Sequence, residues 1–253
     1  EKLISASFYD LLQIPYTFLD SIKGAEVYEN AKNAIHYSTN ALINQLALGF
    51  PDVNIQSITS QLLQNVDIND CKLSVGSRGF RTSFSVDALL TGCSNPASLS
   101  LLKEAESVSF SMVLYYTNYL VINNYKAILI LGMTNRENIK DVIAISPSLV
   151  LAETMAKNGI KVYCNDPHYS EEELKKLVPF GTAVSLETLP KELDVIMLMS
   201  DHVQYRFISQ KYLDTLITSN IKLVIDNTGM FSNYHFKKAI YHQVGDGKIN
   251  IVK

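Results

Sequence analysis

The sequence predicts an α/β protein in which a helical first half is followed by a parallel β-sheet with helices on both faces. Three observations carry this. Up to residue 123 the apolar residues recur at helical spacing, as in Val27, Ala31, Ala34, Ile35, Leu42 and Leu46. From residue 124 onward, short apolar runs alternate with helical ones, the pattern of strands joined by crossover helices. Several of those runs end in polar or turn-forming groups: Gly132-Met133-Thr134, Asn165-Asp166-Pro167, Ser200-Asp201-His202 and Asp226-Asn227-Thr228. In a parallel sheet, ligands bind beyond those carboxyl ends.

The elements follow in order. A long amphipathic helix is expected over 24–48, stopped by Pro51, and a shorter one over 55–65. Gly76 and Gly79 among small polar residues predict a loop over 74–85. Asn95-Pro96 supply the start signals of a helix running to about residue 123. The apolar stretch 108–122 inside it is cut by Ser109, Ser111, Thr117 and Asn118, so it reads as a core helix and not a membrane span. Then come a strand at 127–131, a helix at 147–158 closed by Gly159, a strand at 160–164 and a helix at 171–177. A strand at 194–199, a helix at 209–217, a strand at 222–225 and a last strand at 248–252 complete the chain. The boundary between the two regions falls at 123/124, giving a helical segment, 1–123, and a sheet domain, 124–253.

Bulk properties exclude several functions. A formal charge of −3, with no basic block, gives no reason to expect nucleic acid or an anionic membrane as partner. Cys71, Cys93 and Cys164 lie far apart with no CxxC pair, so neither a zinc site nor a disulfide framework is expected. A reducing, cytoplasmic setting fits that cysteine usage. The chain opens at Glu1 with no signal-peptide pattern and reads as if it begins in the middle of a fold.

Several segments, in order and spacing, resemble the UDP-glucose/GDP-mannose dehydrogenase family. Ile145-Ser-Pro-Ser-Leu-Val-Leu, followed by Gly159-Ile-Lys-Val and Asp166-Pro167, resembles the family's ESPxLxL…GxxVxxxDP run. Asp194 through Asp201-His202, with Tyr205 after it, resembles the next strand end, and Ile225-Asp226 with Phe231 the one after that. Upstream, Gly24-Ala-Glu-Val, Asn33 and Asn44-Gln45 resemble the central helix, and Gly79-Phe80…Asp87-Ala-Leu89 the loop that carries the family's catalytic cysteine. The family's GxGxxG cofactor fingerprint occurs nowhere in this sequence.

The resemblance implies a helical dimerisation segment, with a homodimer through helix 24–48, and a Rossmann-like nucleotide-sugar domain. It also implies an NAD-dependent oxidoreductase that takes a sugar alcohol to the acid through a cysteine-bound intermediate. A lysine and an asparagine stabilise oxyanion charge in that chemistry, and an aspartate assists the water step. Carried over residue by residue, Ser83 stands at the cysteine position, Glu29 at the lysine, Asn33 at the asparagine and Asp87 at the aspartate. A serine with no adjacent base is a poor nucleophile, and a carboxylate opposes oxyanion stabilisation. Asn33 and Asp87 also have plainer readings, as a helix-face amide and as the N-cap of a helix starting at Ala88. Cys93 is the nearest thiol to Ser83; its alternative is a buried apolar thiol.

Gly79, Phe80 and Arg136 fall at substrate-binding positions, but the loop's glycine pair becomes Arg81-Thr82 and two expected arginines are missing, at 143–144 and at Thr228. His202 reads either as a strand-end structural residue or as a ligand contact. The resemblance thus implies a degenerate pseudoenzyme that keeps binding or scaffolding, with NAD not held by this chain alone. The alternative is a divergent NAD-dependent sugar-nucleotide dehydrogenase whose cofactor domain lies upstream of Glu1. A third reading sets the resemblance aside and has Asp166, Asp201 and Asp226 binding a metal–phosphate group.

Overall fold

The computed structural model describes residues 2–65, 73–75, 80–134, 136–140, 146–217 and 220–251; for residues 2, 3, 63, 65 and 80–84 it describes the backbone only. Five helices lead: α1 (Lys2–Leu11), α2 (Ile22–Gly49), α3 (Ile55–Asn65), α4 (Phe80–Gly92) and α5 (Ser100–Ile122), the last entered through a 3-10 turn, Pro96–Leu99. The long helix α2 is started by Ser21, whose hydroxyl accepts from the Gly24 N–H. The loop expected over 74–85 is overturned in its second part, because α4 begins at Phe80. Asp87 consequently lies well inside α4, and the N-cap reading for it is wrong.

The sheet has six strands, β1 (Ala127–Leu131), β2 (Lys161–Asn165), β3 (Thr182–Ala183), β4 (Val195–Leu198), β5 (Leu223–Asp226) and β6 (Ile240–Gln243). Their order is β3-β2-β1-β4-β5-β6 and every pairing is parallel. The Rossmann-like α/β class is therefore present. The crossover helices are α6 (Pro147–Lys157), α7 (Glu171–Leu177), α8 (Val203–Arg206) and α9 (Gln210–Leu216). Ser170 and Glu173 close a capping box at α7. Gly159, at φ +81, ends α6 in the left-handed conformation.

Alternation along the strands separates two cores. Ile128 and Ile130 face one side, packed with Met112 and Leu120 of α5 and Leu151 and Met155 of α6. Ala127, Leu129 and Leu131 face the other, packed with Tyr205 of α8 and Leu213 and Leu216 of α9. The first core also holds Ile43 of α2 and Ile55 of α3, so apolar packing is continuous across position 123/124. The stretch 108–122 is buried on one side only: Met112, Tyr116 and Leu120 are inside, whereas Phe110 and Ile122 are exposed.

The expected last strand is a correction. The sixth strand is Ile240–Gln243, and residues 248–251 form no strand. That tail is recruited instead by the helical region. Tyr115 OH donates to the Ile249 carbonyl (2.6 Å), and the Gln56 N–H donates to the Gly245 carbonyl (3.1 Å). Among the described residues no helix is long and apolar enough to cross a membrane.

Candidate functional site

The chain runs from β1 to β2 and β3 on one side and then returns to β4 on the other, which makes the gap between β1 and β4 the switch point of the sheet. Gly132 turns the chain away from β1 at φ +86. A Cβ there would lie 2.5 Å from Ser200 Cβ and 2.8 Å from Ser200 N, so only glycine lets the β1 and β4 ends approach so closely.

The loop that follows is held by side chains from other elements. Asp166 Oδ2, at the end of β2, accepts from the Met133 and Thr134 N–H groups (2.8 and 3.2 Å). Ser200 Oγ donates to the Thr134 carbonyl (2.6 Å), Ser146 Oγ to the Met133 carbonyl (3.0 Å) and Ser148 Oγ to the Gly132 carbonyl (3.0 Å). His202, fully buried, meets Thr134 Oγ1 (3.0 Å) and Asp166 Oδ2 (3.3 Å) through Nε2. Burial works against an ionised Asp166, but its hydrogen bonds from His202 and from the His168 and Met133 N–H groups outweigh this and hold its pKa below the usual carboxylate range. His202 is thus a structural hub of the strand ends, as one of its two sequence readings held.

At β5 the Asp226 carboxylate is saturated. Oδ1 accepts from the Thr228 N–H, the Thr228 hydroxyl and the Gly229 N–H, and Oδ2 from the Phe231 N–H (2.7 Å) and Tyr241 OH (2.9 Å). Asp201 faces outward in a two-pronged pair with Arg206 (2.9 Å each). The three strand-end aspartates are therefore separately engaged, and no group of three His, Cys, Asp or Glu among the described residues is placed to hold a metal ion. The metal–phosphate reading is overturned on that geometry.

Two buried asparagines join the sheet to the helical region. Asn227 Oδ1 accepts from the Val75 N–H (2.6 Å) and Asn44 Oδ1, on α2, from the Ser74 N–H (3.2 Å). Residues 73–75 are thereby held between α2 and the end of β5. Gly79 lies outside the described residues; Phe80 and Ser83 lie in the first turns of α4, where the backbone alone is described. Asn33 is brought to that helix: its Nδ2 donates to Ser85 Oγ (3.1 Å) and to the Glu29 carbonyl (3.2 Å). Glu29 is exposed and pairs with Lys32 (2.8 Å). Asp87 is exposed on α4, and Arg136 is exposed beyond β1.

The thiols are poorly placed to replace Ser83. Burial pushes the Cys164 thiol up to about 12, and the neighbouring Asp166 adds to this. Cys93 lies ten positions after Ser83, about 15 Å along a helix, and its Sγ accepts from the Asn95 N–H (3.4 Å). Sequence reasoning missed Asn138 and Ser85, and gave Ser200 and Asn227 only as members of strand-end groups, without their partners. Only Asn138 carried a readable signal, since asparagine is among the few residues that enter the left-handed region.

Residues 129–233 match the UDP-binding domain model of the UDP-glucose/GDP-mannose dehydrogenase family. Over that segment the chain is similar to this family's UDP-binding domain. No sequence among the curated proteins matches it. Its fold is similar to that of a UDP-glucose dehydrogenase from Pyrobaculum islandicum, with TM-score 0.73, 18% identity, 97% of this chain covered and 57% of the other. A UDP-N-acetyl-mannosamine dehydrogenase from S. aureus gives TM-score 0.71 at 18% identity, covering 90% of this chain and 52% of the other. A UDP-D-ManNAc dehydrogenase from Pyrococcus horikoshii gives 0.69 at 20% identity, covering 91% and 54%. The chain spans about half the length of these proteins.

Proposed function

We propose that this chain provides the nucleotide-sugar-binding part of a UDP-sugar dehydrogenase relative in which the covalent chemistry has been lost, leaving a binding or scaffolding role. The observation that carries the reading is at Glu29. Where the family resemblance calls for a lysine, a carboxylate stands on the open face of α2 and pairs with Lys32. A negative group there opposes a developing oxyanion. Asn33 meanwhile spends its amide on Ser85, within the α2–α4 pair. With Ser83 in place of a thiol, three roles of one mechanism are altered together.

On this reading Gly79, Phe80 and Arg136 contact the ligand, with Arg136 supplying the positive charge. The residues of the strand ends do not fit NAD. The segment after β1 reads Gly132-Met-Thr-Asn-Arg-Glu137 and has neither the second nor the third glycine of GxGxxG, which let a dinucleotide approach and pack the helix against the strand. No hydride step is assigned to this chain.

We also propose the division at 123/124 and a homodimer through α2. Tyr28, Ile35 and Leu42, seven residues apart, are 61%, 59% and 54% exposed and form an apolar stripe on that helix. Sedimentation of wild type and Ile35→Glu/Leu42→Glu checks this: a dimer that becomes a monomer is expected, and a wild-type monomer contradicts it.

The function itself is tested by calorimetric titration of the chain with UDP-glucose, GDP-mannose and UDP-N-acetylmannosamine, with intact mass recorded after incubation. Micromolar binding of a UDP-sugar with no covalent adduct is expected. No binding to any of the three contradicts the reading, and an adduct at Ser83 contradicts the loss of covalent chemistry.

A further inference from the structure

The far end of the loop after β1 depends on one reciprocal pair. Asn138 sits at φ +58, in the left-handed region. Its N–H donates to His202 Nδ1 (3.0 Å), and its Oδ1 accepts from the Val203 N–H (2.7 Å). A donor aimed at Nδ1 requires that nitrogen to be unprotonated. Neutral His202 therefore carries its proton on Nε2, where Asp166 Oδ2 and Thr134 Oγ1 accept. Thr134 Oγ1 in turn donates to the Arg136 carbonyl (2.8 Å). Arg136 thus lies between two residues, Thr134 and Asn138, that are anchored to opposite nitrogens of one buried imidazole. Its side chain is exposed beyond β1, beside the switch point.

We propose that His202 and Asn138 form a latch that positions Arg136 for the diphosphate of a nucleotide at the β1–β4 switch point. This rests on the reading of Arg136 as the nucleotide contact given above. A guanidinium recognises phosphate oxygens through a planar fork, so its usefulness depends on where its backbone is held. The latch fixes that backbone before any ligand arrives, which lowers the ordering cost of binding. His202 acts through Arg136 and is a positioning residue.

The imidazole's two nitrogens have different tasks, and conservative variants separate them. In His202→Asn an amide oxygen takes the place of Nδ1, so the acceptor for Asn138 is kept. In His202→Gln the longer side chain reaches Asp166 and Thr134 but leaves the Asn138 N–H without its acceptor. The experiment measures amide hydrogen exchange at Asn138 and Val203, together with calorimetric titration with UDP. For His202→Gln we expect exchange at both amides to be about tenfold faster or more, with UDP binding about tenfold weaker. His202→Asn should stay within about threefold of wild type in both readouts.

Unchanged exchange in His202→Gln overturns the latch. Faster exchange with unchanged UDP affinity overturns the positioning role. Equal damage from both variants overturns the Nδ1 assignment. If wild type does not bind UDP, the reading of Arg136 and the positioning role both fall. Should His202→Gln not fold, Asn138→Gly keeps the left-handed backbone and removes the acceptor for Val203; it is expected to speed Val203 exchange and weaken UDP, and failure of either overturns the proposal.

Discussion

The α2–α4 helix pair and the strand-end face of the sheet have been treated differently in this chain. On the strand-end face, Gly132, Asp166, Ser200 and His202 are bonded to one another's loops, and Asp226 holds its own turn. On the helix pair, the positions to which the resemblance assigns chemistry hold Glu29, paired outward to Lys32, and Asn33, tied to Ser85. A buried hydrogen-bond network resists piecemeal change, because removing one partner strands the others in a low-dielectric interior. An exposed helix face imposes no such penalty, so its chemistry can be exchanged while the fold stands. On the reading proposed above, architecture and reactivity are carried by different residues, and only the first is retained.

The comparison is broken most severely at Asp226. Asp226→Ala leaves the Phe231 N–H and Tyr241 OH without their buried acceptor, and a loss of about 4 kcal/mol in urea denaturation is expected. Gly132→Ala comes next. A Cβ forced to 2.5 Å from Ser200 Cβ, at φ +86, should cost about 3 kcal/mol in the same measurement.

Asp166 sharpens the contrast through pH. Its folded pKa lies below the unconstrained 3.8, so its contribution to stability is complete above that value and is lost as pH falls through the lower folded one. Thermal melts of Asp166→Asn should therefore be depressed at neutral pH and converge on wild type in acid. The smallest effect belongs to the helix pair. Glu29→Lys, at an ion pair whose side chains are more than half exposed, should change stability by less than about 0.5 kcal/mol.

Much of the fold was legible because burial writes period into sequence. The strand at 127–131 and the helix at 171–177 were read to the residue; the first is an all-apolar run bounded by glycine, and the structure opens the second with a Ser170–Glu173 capping box. The last strand was not. Ile240-Tyr-His-Gln looks polar because an edge strand buries only part of itself, whereas the alternating Ile249 and Ile251 look like a strand, but Ile249 is buried in the core beside Tyr115 and its carbonyl accepts from that hydroxyl. The site divided in the same way. The strand-end aspartates and His202 were visible as groups at run termini, but the bonds that tie Asp166 and His202 to the loop after β1 were not, because they join residues 33 and 68 positions apart. The roles of Asn227 and Asn44 could not be found from local pattern, since each is defined by a backbone amide in residues 73–75.

The most direct test of the proposed division between retained architecture and lost chemistry is a UDP-sugar titration followed by amide NMR. The account predicts saturable shifts concentrated at residues 132–140, with no covalent change at Ser83. Shifts confined to α2 and α4, or none at all, would contradict it.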